Sequence, residues 1–181
     1  MKLRDIPRFP HIHYSIDVSL DGLVSQLKSF RNSCDVLDMD PDFQRGYVWT
    51  VPQQISYVEY MLRNPQSGKD IYFNHPEFMK SFKGTMTLLD GKQRIEAILM
   101  FLNGKIPAYG GLIHEYEPVR PGSDARIPWD LGFKFNVMRI PTRVEMIDWY
   151  LAYNSGGTYH TAKEIERVIE LRKEAAKNGN V

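Results

Sequence analysis

The stretch LLDGKQRIEAILMFLNG, residues 88–104, constrains the fold more than any other part of the chain. An apolar strand pattern ends at Asp90 and Gly91, and a helical pattern follows at once, with apolar residues spaced along one helix face from Ile95 to Leu102. Glycine permits a tight turn and a close approach of the backbone to a ligand. The stretch therefore predicts a buried strand that passes through a glycine turn into a helix.

Strand and helix patterns alternate along the rest of the chain. Strand patterns lie at residues 71–73, 85–89 and 133–140, and HIHYSIDV at 11–18 is typical of an edge strand. Helix patterns lie at 19–30, 50–63, 95–102, 144–153 and 161–178, and three of them follow a threonine with Gln or Glu three residues later, the spacing of a capping box: Thr50, Thr142 and Thr161. This order predicts an α/β (α+β) domain with a small mixed sheet flanked by helices, and excludes a bundle or a sandwich.

The length of 181 residues predicts one domain, residues 1–181, with one core. Residues 31–49 are predicted to be a loop. Residues 105–131, rich in Pro and Gly, are predicted to form an irregular surface excursion, and residues 161–178 a C-terminal helix.

Charge and cysteine content exclude several function classes. Lys and Arg number 23 against 22 Asp and Glu, so nucleic-acid binding would need a local basic patch. The single Cys34 excludes an intramolecular disulfide and a zinc site built on several cysteines, and it lies in a polar loop without the pattern of a nucleophile. Neither a signal peptide nor an apolar run of membrane-spanning length is present, so we expect a cytoplasmic protein without a membrane partner.

The DGKQR turn has the chemistry of an anion site. A helix start offers free backbone N–H groups and a positive dipole end, and Arg94 could bind a phosphate there with both arms of its guanidinium. Asp90 could cap the helix, hold a metal ion or orient a water molecule. Alternatively, Asp90 is only a cap, and Lys92, Gln93 and Arg94 are a solvated first turn. Basic residues in a first turn oppose the helix dipole, which favours the anion site.

Three ordered segments resemble one known family. The DGKQR run resembles the DGQQR motif of the ParB/sulfiredoxin-like superfamily, in particular the GmrS-type N-terminal domain of modification-dependent restriction systems. PDFQRGYVW at 41–49 is similar to the FQR-x-YVW block of that branch, and YNSGGTYHTAKEI at 153–165 is similar to its N-x-GG-T segment. Together the three segments cover most of residues 35–166.

The resemblance implies a ParB/sulfiredoxin-like domain that binds and hydrolyses a nucleoside triphosphate with Mg²⁺, associated with DNA-targeting defence or with phage counter-defence. It implies that Arg94 binds phosphate, that Asp90 holds the metal ion or positions the attacking water, that Gln93 orients this water or contacts the γ-phosphate, and that Arg45 neutralises developing charge. The further nucleotide-binding positions are Gly91, Lys92, Gln44, Trp49 and Asn154. The expected partners are the nucleotide, DNA, and a separate nuclease or defence protein.

Two departures from the family pattern leave alternatives open. The first glutamine of DGQQR is Lys92 here, which could contact a phosphate as a point charge but cannot hold a water as an amide does. The histidines form no HNH nuclease pattern. A non-catalytic adaptor or decoy that binds DNA or a protein is therefore the alternative, with Asp90 closed in a salt bridge to an arginine, and a metal-dependent nuclease is a weaker one. For Arg45 itself, the alternative to phosphate binding is a buried arginine paired with a carboxylate such as Asp42 or Asp90.

A few other candidates have a simpler explanation. His11 and His13 would share one face of a strand, but no further metal ligand accompanies them. Trp49 and Tyr47 are expected in a pocket wall or core rather than against a nucleobase. The turn at Asn154 is either a second anion-contacting turn or a plain helix end.

Overall fold

The computed structural model describes residues 12–78, 80, 81, 83–154 and 162–177 of the chain. The predictions for the first eleven residues, for the glycine turn at 155–160 and for Thr161 as a helix cap lie outside these ranges. The side chains of His11 and His13, considered above as metal ligands, also lie outside the described part.

Five strands and five α-helices form the described part of the chain. The strands are β1 (Ile12–Ser19), β2 (Val36–Asp38), β3 (Asp70–Asn74), β4 (Thr85–Asp90) and β5 (Gly132–Met138). The helices are α1 (Leu23–Ser33), α2 (Val51–Leu62), α3 (Lys92–Leu102), α4 (Arg143–Asn154) and α5 (Ala162–Lys177). Within the described ranges, no helix combines the length and the apolar character needed to cross a bilayer.

The strands form one mixed sheet in the order β1-β5-β3-β4-β2. The pairs β1/β5 and β3/β4 are antiparallel, and the pairs β3/β5 and β2/β4 are parallel. The predicted α/β class with a mixed sheet is confirmed, and β1 lies at an edge as the HIHYSIDV pattern predicts. Since β4 is an inner strand, its residues from Met86 to Leu89 are buried, and the DGKQR turn starts from a fixed position.

The prediction that residues 31–49 form only a loop is wrong in two parts, because α1 continues to Ser33 and a strand, β2, follows it. β2 pairs in parallel with β4, from Val36 opposite Thr85 to Asp38 opposite Thr87. Asp35 supports this pairing, because its carboxylate accepts a hydrogen bond from the Gly84 N–H at 2.8 Å. A strand of three residues has too short a pattern to be recognised without its partner.

Two of the predicted helix starts have the capping contacts that their spacing indicates. Gln53 Oε1 accepts a hydrogen bond from the Thr50 N–H at 2.8 Å, at the start of α2. Glu145 N–H donates to Thr142 Oγ1 at 3.2 Å, at the start of α4. These contacts satisfy donors that a helix end leaves free, so the ends of both helices are fixed beside the sheet.

Two clusters of buried side chains make up the core. The larger one packs β3, β4 and β5 against α1, α2 and α3, and includes Phe73 and Phe135, whose ring centroids are 5.1 Å apart. The smaller cluster joins Phe43 and Leu89 to α4 and α5, and Phe43 lies 5.2 Å from the ring of Tyr150. Leu89 precedes Asp90, so the smaller cluster holds α4 beside the end of β4.

Residues 105–131 are irregular, as predicted, but they are not only a surface excursion. Ile106, Ala108 and Ile127 are buried in the main core, and a single bridge pairs Ala108 with Gly111. Trp129, by contrast, is 78% exposed. The segment is therefore anchored at several points, which its lack of a regular apolar period did not indicate.

Candidate functional site

A cavity of about 390 Å³ opens where β4 ends and α3 begins. It is lined by the nine residues that the sequence selects and by four others. The nine are Gln44, Arg45, Trp49, Asp90, Gly91, Lys92, Gln93, Arg94 and Asn154, and the four are Tyr57, Leu89, Tyr150 and Tyr153. Three distant segments of the chain therefore meet in one place, which is the arrangement that a binding site requires.

Gly91 makes the turn from β4 into α3. Its φ is 107°, a left-handed conformation that side-chain-bearing residues rarely adopt. A Cβ atom there would lie 2.3 Å from Cδ1 of Ile71. Gly91 is also the N-cap of α3, and no side chain caps this helix. The cap role considered for Asp90 is therefore wrong, and the first N–H groups of α3 are left to other acceptors.

Asp90 forms an ion pair with Arg94, one turn further along. Both side chains are mostly buried, with 23% of Asp90 and 19% of Arg94 exposed. Burial alone would lower the pKa of Arg94, but the Asp90 carboxylate outweighs it and raises that pKa. The closed ion pair anticipated for an adaptor is thus present, although the cavity beside it remains open.

Lys92 is a buried lysine, only 5% exposed, whose ammonium already has partners. It binds the carboxylate of Asp40, donates to the Arg45 carbonyl at 3.1 Å and lies 4.6 Å from the centre of the Tyr47 ring. The prediction that Lys92 contacts a phosphate stays untested. Its contacts instead attach the loop around Arg45 to the start of α3.

Gln93 holds the same loop through three hydrogen bonds. Its Oε1 accepts from the N–H groups of Val48 and Trp49 at 3.0 and 3.1 Å, and its Nε2 donates to the Gly46 carbonyl at 2.9 Å. The Gln93 amide oxygen thus accepts two hydrogen bonds, one for each lone pair, and one N–H of the amide remains unused. Water orientation by Gln93 stays a prediction, and it would require these contacts to rearrange.

Gln44 completes the connection from the other side, because its Nε2 donates to the carbonyl of Leu88 in β4 at 2.5 Å. Gln44 is buried, so this bond is shielded from water. The two sequence motifs, FQRGYVW and DGKQR, thus hold each other's backbone. We call residues 44–49 the motif loop.

Arg45, in the motif loop, is half-buried and lines the cavity. The carboxylates considered as its partners are both occupied: Asp42 binds Arg143 through two contacts of 2.7 Å, and Asp90 binds Arg94. In the part of the chain that the structure describes, the Arg45 guanidinium has neither a salt bridge nor a hydrogen bond. An ion pair of Arg45 with Asp42 or Asp90, the alternative to phosphate binding, is wrong.

Trp49 and Asn154 form parts of the cavity wall. The Trp49 ring packs against Tyr57, with centroids 5.2 Å apart, as expected for a wall residue. Asn154, at the end of α4, donates from Nδ2 to the Tyr150 carbonyl at 2.8 Å. Cys34 lies elsewhere, buried, with its thiol against the Phe30 carbonyl at 3.1 Å, so nothing links it to the cavity.

Besides Leu89, three tyrosines that sequence reasoning did not select line the cavity: Tyr57, Tyr150 and Tyr153. Burial raises the pKa of Tyr150 to about 12 and also raises the pKa values of Tyr57 and Tyr153. The three phenols are therefore uncharged at neutral pH and do not offset the cavity's positive charge. Tyr150 and Tyr153 are three residues apart on one helix, which is a weak signal that they share a face.

The sequence suggests that a bound anion balances the basic residues of the DGKQR turn, but carboxylates of the protein balance them. Basic residues in the first turn of α3 oppose the helix dipole, but Asp40 neutralises Lys92 and Asp90 neutralises Arg94. A ligand is therefore not needed to explain these two cations. Arg45, the third basic residue that lines the cavity, forms no ion pair with any described residue, and Glu164 and Arg167 line a small pocket with it.

Asp90 is the single carboxylate among the described residues that line the cavity. Nowhere in the described ranges do three or more His, Cys, Asp or Glu side chains gather as a metal site. Mg²⁺ commonly uses one or two carboxylates together with substrate phosphates. The donor set therefore fits a divalent cation only when phosphate oxygens complete its coordination.

Comparison with known proteins gives one match. The family model of the GmrSD restriction endonuclease, N-terminal domain, matches residues 24–179. Neither the curated proteins nor the solved structures contain a significant match to the chain. The matched range includes the motif loop, the glycine turn and all nine residues selected from the sequence.

Proposed function

The chain belongs to the family of the GmrSD restriction endonuclease N-terminal domain, and from this premise we propose that its cavity binds the phosphates of a nucleoside triphosphate and hydrolyses it. Family membership gives the chain a role in restriction, the defence against foreign DNA. Nucleotide hydrolysis would then control the action of a DNA-cleaving partner.

The observation that carries the proposal is the unpaired Arg45. A half-buried guanidinium that forms no ion pair gains stabilisation when an anion binds to it. Arg45 faces a cavity in which Arg94 adds a second guanidinium and Asp90 is the one described carboxylate. Guanidinium groups bind phosphate through paired hydrogen bonds. The cavity is therefore suited to a polyanion such as a triphosphate.

The start of α3 supplies the second half of the phosphate site. Gly91 leaves the first turn of the helix uncapped by side chains, so the N–H groups of that turn are available to phosphate oxygens. The missing Cβ at Gly91 makes room for the Ile71 side chain, so glycine serves the turn that presents these N–H groups. Lys92 and Gln93 would contribute these backbone groups, while their side chains hold the motif loop.

Hydrolysis would depend on Asp90. A water oxygen attacks the γ-phosphorus, the bond from this phosphorus to the bridging oxygen breaks, and the diphosphate leaves with the negative charge. Asp90 would accept a hydrogen bond from the attacking water and then its proton, and Arg45 would stabilise the charge that develops on the phosphate oxygens. In the alternative role, Asp90 would instead be the protein ligand of a bound Mg²⁺, which would neutralise phosphate charge. Arg94, which pairs with Asp90 in the structure, would turn toward the phosphates when the nucleotide binds.

The test begins with thermal-shift measurements of ATP, GTP, CTP and UTP with Mg²⁺, since a ligand that binds only the folded state raises the melting temperature. Phosphate release is then measured for each nucleotide that binds. Arg45→Ala should weaken binding about 10-fold or more, because a charged hydrogen bond contributes about 1.5–3 kcal/mol. The matched control is Arg120→Ala, which removes the same charge from an exposed residue that does not line the cavity. The proposal fails if the parent protein neither binds nor hydrolyses any nucleotide.

The closed Asp90–Arg94 pair favours a second candidate, an adaptor that binds a ligand or partner without catalysis. In an adaptor this pair would stay closed, and Asp90 would not accept a proton. Phosphate release separates the two functions: the parent hydrolase releases phosphate and Asp90→Asn abolishes the release, whereas an adaptor releases none in the parent. A plasmid-nicking assay with several metal ions tests the nuclease alternative, for which the described residues offer no cluster of three metal ligands.

A further inference from the structure

A second, shallow groove of about 450 Å³ lies beside the cavity along α2, from Pro52 to Tyr60. Its lining consists of Trp49, Pro52, Gln53, Ser56, Tyr57 and Tyr60. Trp49 and Tyr57 also line the phosphate cavity. The two spaces are therefore adjacent, separated by two aromatic side chains that face both, and one ligand could occupy them together.

The aromatic rings of the groove are held in fixed positions. Tyr57 donates its hydroxyl hydrogen to the Gly68 carbonyl at 2.8 Å, and Tyr60 donates to the Ser67 carbonyl at 3.1 Å. The Tyr57 ring lies 5.2 Å from Trp49 and 6.5 Å from Tyr60. Tyr57 and Tyr60 are thus held by a neighbouring turn, and Trp49 packs on Tyr57, with interplanar angles of 58° between Trp49 and Tyr57 and 37° between Tyr57 and Tyr60. Little conformational entropy would be lost when a flat ligand packs against these rings.

The groove and the cavity differ in charge. No charged side chain lines the groove, whereas the cavity holds Arg45, Arg94 and Asp90. Tyr60 keeps 41% of its surface exposed although it is a large aromatic residue. An uncharged aromatic surface favours a flat, neutral ring rather than a second anion.

Gln53 provides a polar group at the groove. Its Oε1 is used by the Thr50 N–H and hydroxyl, at 2.8 and 3.2 Å. Its Nε2 has no hydrogen-bond partner among the described residues. A ring that binds here would therefore meet a donor and should present an acceptor atom toward it.

We propose that this groove is the subsite for the nucleobase of the nucleotide whose phosphates occupy the cavity. The inference rests on the proposed function, since it assigns the base of the same ligand. Trp49 and Tyr57 would lie between the two subsites, Tyr60 would extend the stacking surface, and Gln53 would donate to the base edge. A nucleobase has an aromatic face and acceptor atoms at its edge, so it matches both features.

The experiment compares inorganic tripolyphosphate with a nucleoside triphosphate, both with Mg²⁺, by calorimetric titration of the full chain. The nucleotide is the one that gives the largest thermal shift. Ser56→Phe fills the groove from an exposed helical position outside the phosphate cavity. Its matched control is Ser25→Phe, the same change at an exposed serine of α1 that lines neither space.

In the parent protein the nucleotide should bind about 10-fold more tightly than tripolyphosphate, as one stacked base contributes in other proteins. Ser56→Phe should remove this difference and leave the tripolyphosphate affinity unchanged, and Ser25→Phe should alter neither. Gln53→Glu keeps an acceptor for Thr50 and removes the donor, so it should weaken the nucleotide more than tripolyphosphate.

The outcomes separate the two proposals. Equal affinity of the parent for both ligands overturns the base subsite and leaves the phosphate site standing. A nucleotide preference that survives Ser56→Phe places the base elsewhere and overturns the groove assignment. If neither tripolyphosphate nor any nucleotide binds, the proposed function fails, and this inference fails with it.

Discussion

Replacing Gln93 by alanine distinguishes a structural role of this residue from a catalytic one. The change removes three hydrogen bonds to the motif loop, to Gly46, Val48 and Trp49. A net value of about 0.5–1.5 kcal/mol for each bond gives a loss of about 1.5–4.5 kcal/mol. Gly46 and Val48 are exposed, so water replaces part of what is lost, and we expect about 2 kcal/mol.

For a domain of this size, about 2 kcal/mol corresponds to a decrease of about 4–8 °C in melting temperature. The assay is thermal unfolding followed by circular dichroism, with nucleotide affinity measured in parallel. Because the motif loop carries Arg45, Gln93→Ala should also weaken nucleotide binding. Gln26→Ala is the matched control, since Gln26 lies in α1 and its side chain makes no hydrogen bond within the described residues. It should shift the melting temperature by less than about 2 °C.

A melting temperature of Gln93→Ala equal to that of the parent refutes this reasoning. If phosphate release alone is lost while stability and affinity are kept, Gln93 orients the attacking water, as the family resemblance implies. If stability and affinity fall together, its amide acts through the loop.

Two further predictions concern the glycine turn and the buried phenols. Gly91→Ala should lower the free energy of unfolding by about 3 kcal/mol, from the positive φ and the 2.3 Å approach to Ile71, while Gly46→Ala, where a Cβ meets nothing within 4 Å, should change little. Ile71→Val removes the Cδ1 atom with which the new Cβ clashes. In urea titrations, Ile71→Val should therefore lower the free energy of unfolding less in the Gly91→Ala background than in the parent. If the effects of the two substitutions simply add, the clash is contradicted. Burial raises the pKa of Tyr150 from 10.0 to about 12, so its contribution to stability is full below pH 10 and is lost as the pH rises through 12. Tyr150→Phe should therefore reduce the alkaline loss of stability between pH 10 and 12, and an unchanged pH dependence would contradict the burial effect.

The sequence predicts where the site lies better than it predicts which side chains contact each other within the site. The strand, glycine turn and helix of residues 85–102 follow from apolar periodicity and from Gly91, which are local properties of the chain. Family resemblance adds the motif loop and Asn154, and the cavity contains all of them. Tyr57 has no local signal of this kind, because its place in the cavity depends on how α2 packs beside α3.

The pairing of charged side chains was the property least predictable from the sequence. Asp40, which binds Lys92, lies 52 residues earlier in the chain, and nothing in the sequence distinguishes it from Asp38 or Asp42. The short strand β2, next to Asp40, was missed for the same reason, since it is recognisable only through its pairing with β4. Ion pairs between residues distant in sequence can be identified only from the tertiary structure, whereas a helix start can be recognised from the sequence.

The contacts of Lys92 change what its departure from the DGQQR motif means. A glutamine there could donate to the Arg45 carbonyl, but it could not neutralise Asp40 or lie over Tyr47 as a cation. Lys92 does all three, so the substitution is accompanied by an acidic partner and strengthens the attachment of the motif loop. The Lys92 ammonium points toward the Arg45 carbonyl of the motif loop and not toward Asp90. If the cavity hydrolyses a nucleotide as proposed, we infer that Lys92 acts on this reaction through the position of Arg45, and that the reaction requires Asp90 to separate from Arg94.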